Sequence, residues 1–240
     1  MLLAAALTKT YPTGHTAVHA LDLLVPDGET VFLLGANGAG KSTTLHLFMD
    51  FIRPTAGRAL VDGVEVAADP LLAKAHIAYV PENVAFYAAL TGYENARFFA
   101  ALGGRPHISG AELAEAVELV GLQRTDLDKR VGTLSKGMKQ KLAIGIAWLR
   151  GARNLVMDEP TSGLDPASAA SFMALLREMR GRGCAILVSS HDVFRVRDNA
   201  DHIVILREGR VVGRLDGVAI AGCDVEQLYL QLMTDSVEAT

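Results

Sequence analysis

The chain has 240 residues, half of them hydrophobic, and a formal net charge of −4. That length allows one large or two modest domains with a sizeable core, and the charge balance excludes the overall basic field that nucleic acid requires. Cys184 and Cys223 match no metal or redox spacing and are expected as small buried hydrophobes in a reducing compartment. The longest apolar runs, 1–7 and 142–149, fall far short of the roughly 20 residues that cross a bilayer. No basic residues precede 1–7, so it reads as a first strand and not as a leader. The chain is expected to be soluble, with any membrane connection made through a partner.

In chain order, 17–25 is an apolar-leaning strand and 29–34 a short apolar run ending in glycines. A helix opens at Lys41 and runs to about Phe51. Residues 59–66 carry Asp62-Gly63 between apolar neighbours, the signal of a tight hairpin. A strand at 77–80 stops at Pro81. From 84 to 150 the pattern turns helical, with three- and four-residue apolar spacing at 93–102 and 111–120. Ser109 and Glu112 form a capping box at the start of the second of these. Strand 154–157, helix 166–180, strand 185–189, a helix near Phe194 and strands 203–206 and 210–213 follow. This alternation predicts an α/β fold with a mainly parallel sheet covered by helices, a β-rich N-terminal portion and a helical insertion.

Gly35-Ala36-Asn37-Gly38-Ala39-Gly40-Lys41-Ser42 fits the phosphate-binding loop pattern without a gap. It lies between a strand and a helix, where glycines let successive N–H groups curl towards phosphate oxygens and the helix adds its positive end. Lys41 is placed to reach the β- and γ-phosphates and Ser42 to ligate Mg²⁺; Thr43 completes the candidate set. Taken alone, this loop specifies a nucleotide, as in kinases, GTPases and motors. The strand at 154–157 runs into Asp158-Glu159, and a buried strand should not finish in paired carboxylates without a cation or partner. Asp158 suits Mg²⁺, and Glu159 is then free to polarise a water for attack on the γ-phosphate.

Three more segments carry a resemblance. Leu134-Ser135-Lys136-Gly137-Met138-Lys139-Gln140-Lys141 is similar to the LSGGQ signature, Ser162-Gly163-Leu164-Asp165 to a D-loop, and Ser190-His191 to a switch histidine at a strand end. Together they resemble the ATP-binding subunit of ABC transporters, from Tyr11 to the last helix near Tyr229. The resemblance implies a phosphate-loop NTPase core with an N-terminal antiparallel β subdomain and a helical subdomain at 84–150, all within one ABC ATPase domain, 1–240. It also implies ATP and Mg²⁺ as ligands, with Tyr11 stacking on adenine, Glu159 as catalytic base and His191 at the γ-phosphate. Ser135 and Gly137 would touch the γ-phosphate of the nucleotide held by a second, like subunit, and Asp165 of the D-loop joins the nucleotide-binding set. Hydrolysis would power membrane-spanning partners from the cytoplasmic face of the membrane. For Tyr11 a plain core tyrosine remains the alternative, and for Asp165 a plain helix cap before Pro166.

Two departures from the family pattern stand out. Glu82 replaces the Q-loop glutamine, keeping an oxygen for Mg²⁺ but losing the amide donor. Lys136 and Met138 replace a glycine and a glutamine of the signature. With Leu90-Thr91-Gly92-Tyr93-Glu94-Asn95 and Gln227-Leu228-Tyr229, these are similar to bacterial exporters of drugs, antibiotics, lipids or sodium. Glu82 alternatively reads as a free surface acid, and Lys136, Lys139 and Lys141 as a solvated helix face. His46, His76 and His107 show no ligand spacing. A non-transport ABC ATPase and a small-molecule kinase are the rival readings. The first would bring tandem cassettes, coiled-coil insertions or zinc modules, and the second would need neither the signature nor His191.

Overall fold

The computed structural model describes residues 1–234. Ten strands run in chain order: β1 (Leu2–Thr10), β2 (Thr16–Val25), β3 (Thr30–Leu34), β4 (Ala56–Val61), β5 (Val64–Glu65), β6 (Ile77–Val80), β7 (Asn154–Asp158), β8 (Ala185–Ser190), β9 (His202–Arg207) and β10 (Arg210–Asp216). The helices between and after them are α1 (Lys41–Phe48), α2 (Pro70–His76), α3 (Gly92–Leu102), α4 (Gly110–Leu119), α5 (Arg124–Leu127), α6 (Lys136–Leu149), α7 (Pro166–Gly181), α8 (Val193–Arg197), α9 (Gly217–Gly222) and α10 (Val225–Thr234).

They build two sheets. One is four-stranded and antiparallel, ordered β2-β1-β4-β5; the other is six-stranded, ordered β10-β9-β3-β8-β7-β6, and parallel except for β10. β3 shows why the second sheet is central. All five of its residues are buried, as expected for a strand covered on both faces. Its side chains alternate between two cores: Phe32 and Leu34 join the one containing α3–α7, Val31 and Leu33 the one shared with β1, β2 and α1. Burying each such side chain is worth about 1.5–3 kcal/mol.

Local signals placed most elements within a residue or two. Asp62 (φ 49°) and Gly63 (φ 80°) turn β4 into β5 with Val61 opposite Val64, a two-residue hairpin. The Ser109–Glu112 capping box closes both of its hydrogen bonds. The run Leu90–Asn95 has a structural task of its own. Thr91 and Glu94 cap α3, and the buried Asn95 amide bonds back to Tyr87, Leu90 and Thr91. α1 ends at Phe48, three residues before the expected Phe51, and Asp50 follows with φ 52°. α2 and α9 were not anticipated. Each is six or seven residues long, too short for a periodic pattern, and each is opened by an aspartate cap, Asp69 or Asp216. Cys184 is buried as expected, whereas Cys223 is only partly so. No helix among the described residues is long and apolar enough to cross a membrane.

Candidate active site

The parallel register of the large sheet decides which residues meet. Leu34 pairs with Ser190 across β3 and β8, and Asp158 pairs with Ser189 across β7 and β8. The C-terminal ends of three strands therefore converge, the usual place for a ligand in an open parallel sheet. The loop Gly35–Gly40 leaves β3 here. A Cβ on Gly35 would sit 2.5 Å from the Leu206 carbonyl oxygen, and one on Gly40 (φ 101°) 2.4 Å from that of Ala17. Only glycine fits either position. No side chain caps α1, so its first N–H groups stay open to an anion.

Lys41 is buried, and its Nζ donates to the carbonyl oxygens of Gly35 (2.6 Å) and Ala36 (3.3 Å). The same ammonium lies 3.5 Å from Glu159 Oε1. Asp158 Oδ1 accepts from Ser42 Oγ at 3.1 Å and from Ser189 Oγ at 2.6 Å, and its Oδ2 accepts from the Tyr79 hydroxyl at 3.5 Å. Burial, and then the Asp158 carboxylate, push the Tyr79 hydroxyl up to about 12. Glu159 takes φ 45°, a conformation rare for a residue with a Cβ and of a kind that clusters at functional sites. Its N–H donates to Ser189 Oγ (2.9 Å), and its Oε2 lies 2.9 Å from His191 Nδ1. Glu159 is thus held from three sides.

A cavity of about 320 Å³ opens at this convergence, lined by the loop 36–43 together with Tyr11, His15, Ala17, Glu82, Asp158 and Glu159. The Tyr11 hydroxyl is 3.4 Å from Thr43 Oγ1, and Lys9 Nζ lies 5.4 Å from the centre of the Tyr11 ring. His191 borders a neighbouring cavity of about 210 Å³ that also touches Glu159, Ser162 and Gly163. Among the described residues no cluster of three His, Cys, Asp or Glu could hold a metal unaided. Ser42, Asp158 and Glu82 do offer hard oxygen donors. That set suits Mg²⁺, which is commonly held by one or two carboxylates and completes its shell with phosphates and water.

Three expected residues stand apart. Ser135 caps α6 by accepting from Met138 N–H at 3.2 Å, and with Gly137 it lines a separate cavity of about 560 Å³. Asp165 caps α7, where the Ser168 hydroxyl and N–H hold its carboxyl below the usual range. Two of the three lysines have partners: Lys136 Nζ lies 3.7 Å from Glu82 Oε1, and Lys141 Nζ donates to Ser171 Oγ at 2.8 Å. Ser189 and Tyr79 were missed. The linear signal for Ser189 was weak, a hydroxyl ending an otherwise apolar strand, and nothing marked Tyr79 apart from its place within the strand at 77–80.

The model of the ABC transporter family matches residues 18–162. The chain belongs to that family. A bacitracin transport ATP-binding protein of Bacillus licheniformis is 35% identical over 207 residues, which are 86% of this chain and 66% of the relative. A solved ATP-binding subunit of an ABC transporter aligns with TM-score 0.84 and 30% identity over 98% of this chain and 100% of its own. An ATP-binding cassette, solved as a dimer in a post-hydrolysis state with ADP and phosphate, aligns with TM-score 0.80 and 25% identity over 90% of this chain and 99% of its own. The chain spans about two thirds of the length of bacterial relatives such as the bacitracin transport protein, and only 22% and 27% of two longer A family members from Arabidopsis thaliana and Dictyostelium discoideum.

Proposed function

We propose that this chain binds Mg-ATP at the 36–43 loop and hydrolyses it as one of two cassettes that close on nucleotide and drive transport through membrane-spanning subunits. The observation that carries the reading is the double hold on Glu159, with Lys41 Nζ at 3.5 Å and His191 Nδ1 at 2.9 Å, beside the Asp158–Ser42 pair. Glu159 accepts a proton from the water that attacks the γ-phosphorus, and His191 keeps the carboxylate aimed. Lys41 and the open N–H groups of α1 hold the phosphates, and Tyr11 stacks on adenine. Mg²⁺, held by Ser42 and Asp158 with Glu82 alongside, supplies charge neutralisation at the phosphates.

Ser135, Gly137 and Asp165 lie away from that cavity, which supports a role towards the nucleotide of a second, identical cassette, as does the dimeric state of a solved relative. Residues 84–150 act as a helical subdomain. Within it, Tyr87 and Leu102 stand exposed at an apolar cavity of about 320 Å³ that Leu102 lines with Pro81, Phe86 and Phe99. That face supports docking of a membrane subunit at the cytoplasmic side. Export is the direction we favour, because Glu82 and the Ser135-Lys136-Gly137-Met138 signature resemble exporter cassettes and a bacitracin transport protein is among the relatives. The test has two parts. Purified chain should hydrolyse Mg-ATP, with loss in Glu159→Gln, and chain isolated from membranes should bring a protein with several membrane spans. Activity without any such partner would defeat the transport part alone.

A further inference from the structure

Two of the positions where the sequence departs from its family pattern, Glu82 and Lys136, touch in the folded chain. Lys136 is the first residue of α6, directly after the Ser135 cap, and that first turn contains no acidic residue. A cation there opposes the helix dipole, at a cost of about 0.3–1 kcal/mol if unpaired. Its Nζ turns instead to Glu82 Oε1 at 3.7 Å and passes the turn after β7, 3.8 Å from where a Cβ on Gly163 would stand. Among the described residues Glu82 makes no other ion pair, and it lines the same cavity as Ser42, Asp158 and Glu159.

We propose that Lys136 is a positioning residue for the nucleotide site: its ammonium competes with the cation for the Glu82 carboxylate and ties that carboxylate to the first turn of α6. The inference rests on the Mg-ATP reading given above. Both side chains are partly exposed, 30% for Lys136 and 46% for Glu82, so the pair is weak, in the range of about 0.2–1 kcal/mol. Weakness suits the role. A divalent ion that prefers carboxylate oxygen can draw Glu82 away from a single ammonium, and the same step unties the segment after β6 from the Ser135 turn. With the more usual glutamine and glycine at these positions no such exchange exists.

The test is a double-mutant cycle on the full chain, with Mn²⁺ as spectroscopic probe and a saturating non-hydrolysable ATP analogue, read by electron paramagnetic resonance. Lys136→Met removes the competitor and should tighten Mn²⁺ binding about 1.4- to fivefold, the range set by a surface ion pair. Lys136→Arg keeps the charge and should match wild type. In a Glu82→Gln background Lys136→Met should change nothing, because no carboxylate remains to be released. Equal tightening in both backgrounds would reduce Lys136 to a distant positive charge and overturn the proposal, as would no tightening in either. A wild-type chain that binds no Mn²⁺ with the analogue would remove the nucleotide reading itself and this proposal with it.

Discussion

The nucleotide cavity and the first turn of α6 both present helix N-termini, yet they are assembled in different ways. At the cavity the groups assigned to phosphate and water are held across segments that the large sheet brings together: Lys41 with Glu159, Asp158 with Ser189, Glu159 with His191. At α6 the Ser135 hydroxyl bonds within its own turn, and the turn is linked to the segment after β6 through the Lys136–Glu82 pair. One region is preorganised by sheet register, the other by local capping and a weak ion pair. Preorganised charge is what phosphoryl transfer needs, whereas a loosely held first turn suits a surface that engages and releases a partner.

The sharpest way to break this contrast is Glu159→Gln. Losing the base should cut ATP turnover by about 10²–10⁴-fold while nucleotide binding persists, and the ATP-bound dimer should accumulate on size-exclusion chromatography. A variant that turns over at the wild-type rate, or stays monomeric in ATP, defeats the assignment of the cavity.

Lys41→Ala should weaken ATP binding by about 10–100-fold, the scale of a lost charge-assisted hydrogen bond, measured with a fluorescent nucleotide. Mixed with a Ser135→Arg chain it also tests the α6 side. Each pure dimer lacks an intact composite site, whereas the mixed dimer can form one, so ATPase activity should reappear on mixing. No recovery would count against shared sites.

Ser189→Ala sharpens the cavity side. It removes the 2.6 Å donor to Asp158 and the acceptor for the Glu159 N–H, and should cost about 10–100-fold in activity or Mg²⁺ requirement, seen as a shifted Mg²⁺ dependence of the rate. A wild-type profile would make Ser189 incidental.

The smallest effect is expected at Asp165, the cap of α7, whose first turn packs against Gly137 of α6. Its carboxyl is held low by Ser168, so its stabilising charge is present above the unfolded value, about 4, and is lost as pH falls through the folded one. Asp165→Asn keeps an acceptor for the cap but not the charge. Urea midpoints should differ slightly at pH 7, wild type being higher, and converge as pH falls through the lowered folded value; a gap independent of pH would remove the charge argument.

Several features of this protein follow from local sequence. The apolar run of β3 marks a strand buried on both faces, and Asp62-Gly63 closes a hairpin, each readable from a few neighbouring residues, whereas the need for glycine at 35 and 40 comes from the distant carbonyl oxygens of Leu206 and Ala17. The phosphate loop and the Asp158-Glu159 pair were legible for the same reason, since their chemistry lies in contiguous residues. What the linear order could not supply was the cross-strand register that sets Ser189 against Asp158, 31 positions away, or the approach of Lys136 to Glu82. Nor did it place Ser135 and Gly137 in a cavity apart from Lys41. Periodicity, caps and turns are decided by steric and hydrogen-bond choices within a few residues. Contacts between distant segments are decided by how β3, β7 and β8 stack to bury their two apolar faces, and only the folded core makes that choice.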